Sequence, residues 1–211
     1  MARTPSLEGY PQDHGAAARL AWEELSTMHP ERIASDAGVG LGARGSSLEV
    51  PFLGRTYRVE PKAKEIEAAG GPSDPMKDLL VLHYLIAADG APEAGVEIGF
   101  AQVPGAEAYL GRFKGRAVAK LVKAFGAGPA ELVRAAKGLG AEKLDYGDAS
   151  VRVRLFPRVP VTLIVHGASD EFAATGQVVF DRSIVHYLPI EDIVVASAEL
   201  VGELARRKEG A

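Results

Sequence analysis

Two of the five histidines occur in the same tripeptide, His83-Tyr84-Leu85 and His186-Tyr187-Leu188. An imidazole beside a phenol offers metal ligation, proton transfer or a hydrogen-bonded core contact. His83 shares a helical face with Met76, Leu79, Leu80, Ile86 and Ala87, so its ring points inward and needs a carbonyl or carboxylate there. His186 falls where a strand gives way to a helix, among Asp181, Ser183, Glu191 and Asp192, and is the first choice for a functional residue. No HxH, HxxxH or HExxH spacing occurs, so a zinc site of those kinds is not expected.

Other motifs carry weaker signals. Gly167-Ala-Ser169-Asp-Glu171 begins like a nucleophile elbow, but its fifth residue is Glu and a strand follows, which favours a polar turn. Gly40-Leu-Gly42-Ala-Arg-Gly45 has G-x-G-x-x-G spacing without a strand before it or a helix after it, which favours a glycine loop. Asp145-Tyr146-Gly147-Asp148 joins two carboxylates and a phenol, a set suited to acid/base work or to a turn. Between Ala108 and Ala130 there is no acidic residue, while Arg112, Lys114, Arg116, Lys120 and Lys123 all lie there. Such a local positive field suits a phosphorylated or carboxylated ligand or an acidic partner, and equally a solvated helix face.

The chain that must position these groups has 211 residues, 47% hydrophobic and 25% charged, the balance of an ordinary globular protein and the size of one domain, with a core expected over about residues 13–207. A net charge of -4 argues against a general nucleic-acid binder. The absence of cysteine excludes disulfides, thiolate metal sites and a cysteine nucleophile within this chain. Without a signal-like apolar stretch or a run long enough to span a bilayer, a cytoplasmic location off the membrane is expected.

Hydrophobic spacing predicts a first helix from Asp13 to Met28, a glycine-rich stretch from His29 to Ser47, and a hairpin turning at Leu53-Gly54-Arg55. Asp74-Pro75 opens a central buried helix, and a helical pair follows at about 114–125 and 129–138. SVRVRLF, VPVTLIV and QVVFD read as an antiparallel meander, and Pro189 with Glu191 and Asp192 opens a terminal helix to about Arg207. Helices followed by clustered strands, without β-α-β alternation, predict an α+β fold.

DPMKDLLVLHYLIAADG, the Pro104–Tyr109 stretch, DYGDAS, FPRVPVTLIV, Asp170-Glu171-Phe172 and VVFDRSIVHYLPIEDI together resemble the domain of unknown function 3786 family, from about Trp22 to the terminal helix. That family occurs in anaerobic bacteria and archaea, and some members carry a cysteine-rich cluster domain like that of corrinoid iron-sulfur proteins. The resemblance implies a setting in anaerobic one-carbon, corrinoid or redox metabolism, and points to His83, Tyr84, Asp148, Asp181, His186, Tyr187, Glu191 and Asp192 as functional positions. Lacking cysteine, this chain would need a partner or bound cofactor for any redox role.

The leading expectation is therefore an accessory protein with a cavity between the buried helix and the C-terminal sheet. That cavity would hold a small ligand such as a tetrapyrrole or corrinoid, with His186 or His83 as its contact and Arg112, Lys114 and Arg116 receiving its anionic groups. The partner would be an iron-sulfur or corrinoid protein. The alternatives are a hydrolytic or acid/base enzyme using His186 with Asp181, Asp192 or Ser169, and a module without chemistry that docks through the basic stretch.

Overall fold

In the computed structural model, which describes residues 14–43, 45–72 and 74–210, the chain opens with α1 (His14–Leu25). The Asp13 cap expected for this helix lies outside the described residues. The following stretch is a helix where none was expected. In α2 (Pro30–Ala37), Pro30 occupies the first turn, Ile33, Ala34 and Ala37 are buried, and Gly38 closes the end at φ 65°. Eight residues are too few to persist on propensity alone, so this helix exists because its apolar stripe packs against the helix beginning at Pro75.

A first antiparallel sheet runs in the order β1 (Gly40–Leu41), β2 (Leu48–Phe52), β3 (Arg55–Glu60), β4 (Glu65–Ala68). The β2–β3 hairpin turns where expected, at Leu53 and Gly54, with φ of 51° and 76°. Two positive φ values make the turn whose twist matches the flanking strands. A Cβ on Gly54 would stand 2.8 Å from an Arg207 guanidinium nitrogen and 2.9 Å from Leu139. Gly54→Ala is accordingly expected to lower stability by more than about 1 kcal/mol, read as a shift of the urea midpoint with unchanged slope.

Asp74 caps α3 (Pro75–Ala87): the Met76 N–H donates to its Oδ1 at 2.8 Å, and Pro75 starts the helix. Leu79, Leu80, Val81, Leu82, Tyr84 and Leu85 are all buried, as the nearly continuous apolar run requires. The second antiparallel sheet has the order β5 (Glu97–Gly99), β9 (Thr175–Asp181), β8 (Val159–His166), β7 (Ala149–Phe156), β6 (Glu142–Leu144). Its centre is the expected meander, and β5 and β6 are short edges.

Between β5 and β6 lies the expected helical pair. The first member starts earlier than its spacing suggested and runs without a break through α4 (Leu110–Phe113), a π-helical turn (Lys114–Val118) and α5 (Ala119–Phe125). The second is α6 (Ala130–Ala136). After β9, a 3₁₀ turn (Arg182–His186) leads into α7 (Ile190–Glu209), which packs against α3, α5 and α6 through residues such as Ile193, Leu200 and Leu204. Among the described residues no helix is long and apolar enough to cross a membrane.

A ring stack joins the two sheets to α3. Phe52 of β2 lies on Phe156 of β7 at 4.4 Å between centroids, and Tyr84 of α3 lies on the Phe156 ring at 4.2 Å, each pair nearly parallel. The interval between α3 and the C-terminal sheet, where a ligand cavity was expected, is occupied at this point by these rings.

Candidate functional site

The first turn of α7 places two acidic side chains at a helix N-terminus, where the backbone dipole favours negative charge. Both are buried, and each holds a ring from a different element. Asp192, its side chain 4% exposed, accepts from Nδ1–H of His83 on α3 at 2.7 Å. An ionised carboxylate only accepts, so the proton of a neutral His83 ring sits on Nδ1 and the lone pair on Nε2. Among the described residues no hydrogen bond engages that Nε2, and the His83 side chain keeps 20% of its surface in solvent. Burial disfavours the charged ring, but the hydrogen bond and charge of Asp192, helped by Glu24 on α1, outweigh it and hold the His83 pKa above its ordinary 6.5.

Beside it, Glu191 is 6% exposed and accepts from the Tyr109 hydroxyl at 2.7 Å. That bond, then burial, raises the Tyr109 pKa, and the Arg112 guanidinium stands 6.0 Å from the Tyr109 ring centre. The second Glu191 oxygen is buried with no hydrogen-bond partner among the described residues.

His186 is held in the same manner by a residue the spacing did not suggest. Its Nδ1 lies 2.7 Å from Oδ2 of Asp89, just past the end of α3, with both side chains about half exposed. Burial would raise the Asp89 pKa, but hydrogen bonds from His186 and the Ala91 N–H lower it. The two tripeptides belong to longer copies of one pattern, His83-Tyr-Leu-Ile-Ala-Ala-Asp89 and His186-Tyr-Leu-Pro-Ile-Glu-Asp192. They pair crosswise: the histidine of each copy bonds the aspartate of the other. The two tyrosine rings lie 6.1 Å apart between these links, Tyr84 donating to the Ala37 carbonyl and Tyr187 to that of Ala91. The aspartate that recurs six residues after the histidine of each HYL is the sequence signal that identifies Asp89.

The other expected residues lie elsewhere. Asp181 takes the N–H groups of Ala94, Gly95 and Ser183 at 2.8 to 2.9 Å, tying the segment before β5 to the 3₁₀ turn. Burial works against its charge, and those donors still hold its pKa below 3.8. Asp148 is exposed and accepts from the Gly167 N–H at 2.7 Å. The Ser169 hydroxyl accepts from the Phe172 N–H at 3.1 Å inside its own turn. Neither Asp181 nor Asp192 is the partner of His186. Arg112, Lys114 and Arg116 are all exposed. Among the described residues there is no group of three or more His, Cys, Asp or Glu placed to hold a metal ion.

A histidine whose Nδ1–H is anchored on a carboxylate is the arrangement metal-ligating imidazoles adopt, because the anchor fixes the ring and makes Nε2 more basic. His83 with Asp192 has that arrangement, and His186 with Asp89 has it at a more exposed position. The same pair can also relay a proton.

The family model described as Domain of unknown function (DUF3786) matches residues 29–203, a span that includes both HYL copies, the basic helix and all of the second sheet. Comparison with curated proteins and with solved structures yields no match.

Proposed function

We propose that this chain, which belongs to the DUF3786 family, is an accessory binding protein that offers an aspartate-held imidazole to a metal-centred tetrapyrrole or corrinoid. The observation that carries this reading is the 2.7 Å bond from His83 to buried Asp192, with the Nε2 lone pair left unengaged. Such a metal, if bound, would take the His83 imidazole nitrogen as a donor, and a donor of that kind tunes a metal's potential and reactivity. Within this chain, Asp192 orients the ring, α7 supports the Asp192 charge, and the half-buried setting of His83 limits competition from water. Because the Tyr84–Phe156–Phe52 stack fills the interior interval, the ligand meets His83 from the surface, as a cofactor carried by an iron-sulfur or corrinoid partner would. The anaerobic one-carbon setting implied by the family resemblance fits that partner.

Adding haem or aquocobalamin to the purified protein is expected to change the absorption spectrum of the added cofactor, with the change lost in His83→Ala and kept in His186→Ala. Loss only in His186→Ala would move the contact to the Asp89 pair, and an unchanged spectrum throughout would remove the proposal. Protonation consumes the Nε2 lone pair, so the spectral change should fade as pH falls through the His83 pKa. Since Asp192 keeps that value above 6.5, fading should begin on the alkaline side of 6.5.

Acid/base catalysis is the second reading, and the same anchored imidazole favours it. His83→Ala that abolishes turnover of a hydrolysable ester or amide, without any cofactor response in the native protein, would select it.

A further inference from the structure

The continuous helix from Leu110 to Phe125 is amphipathic in an unusual sense. Its inner side buries Phe113, Ala117, Leu121 and Phe125, and its outer side carries only cations and small residues. Arg112, Lys114, Arg116, Lys120 and Lys123 are all exposed, and among the described residues none of them forms an ion pair. On a chain of net charge -4, whose other exposed arginines mostly pair with nearby carboxylates, this is an uncompensated field.

In an uninterrupted α-helix, residues four apart drift round the cylinder by about 40° per step. The π-helical turn at Lys114–Val118 takes more residues per turn and absorbs that drift. Arg112, Arg116 and Lys120 thereby stay close to one line along the helix.

We propose that this face docks an acidic helix of a protein partner, whose Asp or Glu side chains at i, i+4 and i+7 form a straight stripe that meets Arg112, Arg116 and Lys120. Spacing and composition select this occupant. An ordinary helix keeps carboxylates on one nearly straight stripe at i, i+4 and i+7, because the alternating four- and three-residue steps cancel the drift. Gly111 and Gly115 beside the row have open space where a side chain would stand, so a second backbone can approach. No large hydrophobic side chain is exposed along the segment to enter a bilayer, and no exposed aromatic offers a platform for unpaired bases. This inference is independent of the histidine reading.

The test measures binding of the full chain to two synthetic helical peptides of identical composition, one with its glutamates in a single i, i+4, i+7 stripe and the other with them spread round the helix. The stripe peptide should bind about tenfold more tightly, weaken as salt is raised, and lose that advantage against the triple variant Arg112→Glu, Arg116→Glu, Lys120→Glu. All three positions are exposed, so circular dichroism of the variant should match the native protein. Equal binding of the two peptides, an advantage that survives the triple variant, or tighter binding of phosphatidylserine vesicles or single-stranded DNA at equal charge would each overturn the proposal.

Discussion

Phe156→Ala is expected to cost about 3–5 kcal/mol of unfolding free energy, enough to place a domain of ordinary stability near its limit. The reason is the position of the ring. It lies flat between Phe52 of the first sheet and Tyr84 of α3, and it is wholly buried. Truncation removes the apolar area of the ring, the two stacking contacts and the support that keeps Tyr84 bonded to the Ala37 carbonyl. Partial collapse is limited because the two stacked neighbours belong to separate elements, β2 and α3, that cannot both close on one gap. Phe156→Leu should recover part of the loss, and Phe172→Ala, at a ring that is 72% exposed, should stay within about 0.5 kcal/mol of the native protein. Urea unfolding of the three variants measures this. If Phe156→Ala behaved like Phe172→Ala, the ring stack would not be the joint between sheets and helix.

The elements legible in the sequence were those whose signals are local. Asp74-Pro75 carries its cap and first turn in adjacent residues, Leu53-Gly54 carries a turn, and the alternation of SVRVRLF carries a half-buried strand. What was not legible depends on residues far along the chain. The short helix at Pro30–Ala37 is held by contacts with α3, and β4, β5 and β6 are edges of three or four residues that exist through pairing with longer strands. The π turn at Lys114–Val118 has no local signature in residue type or spacing.

The site shows the same division. Helical spacing correctly turned His83 inward toward a carboxylate, but that carboxylate is Asp192, 109 positions away, and spacing cannot specify such a contact. His186 was paired by proximity with Asp181, Asp192 or Ser169, while its partner is Asp89 across the fold. Tyr84 was read beside His83 as one functional unit. On a helix, neighbouring residues face about 100° apart, so His83 can reach Asp192 while Tyr84 enters the ring stack.

Because the two HYL copies are linked crosswise, their aspartate–histidine pairs should weaken at opposite ends of the pH range. His83 has a folded pKa above 6.5, so the stability from its protonation is fully present below pH 6.5 and is lost as pH rises through that higher value. Asp89 has a folded pKa below 3.8, so its contribution is present above pH 3.8 and is lost as pH falls through that lower value. His83→Gln should therefore flatten the alkaline decline of stability and leave the acid limb in place, while Asp89→Asn should do the reverse. The first variant should also lower stability near neutrality, because the charge-assisted bond between the His83 ring and the buried Asp192 carboxylate is lost. Asp192→Asn keeps an acceptor for Nδ1–H and removes the charge, so it should cost less than His83→Gln yet flatten the alkaline limb equally. Urea unfolding of the native chain and the three variants across pH measures both limbs. An alkaline limb unchanged in Asp192→Asn would mean that the His83 pKa is set by something other than Asp192, and the anchored imidazole on which the binding proposal depends would lose its cause.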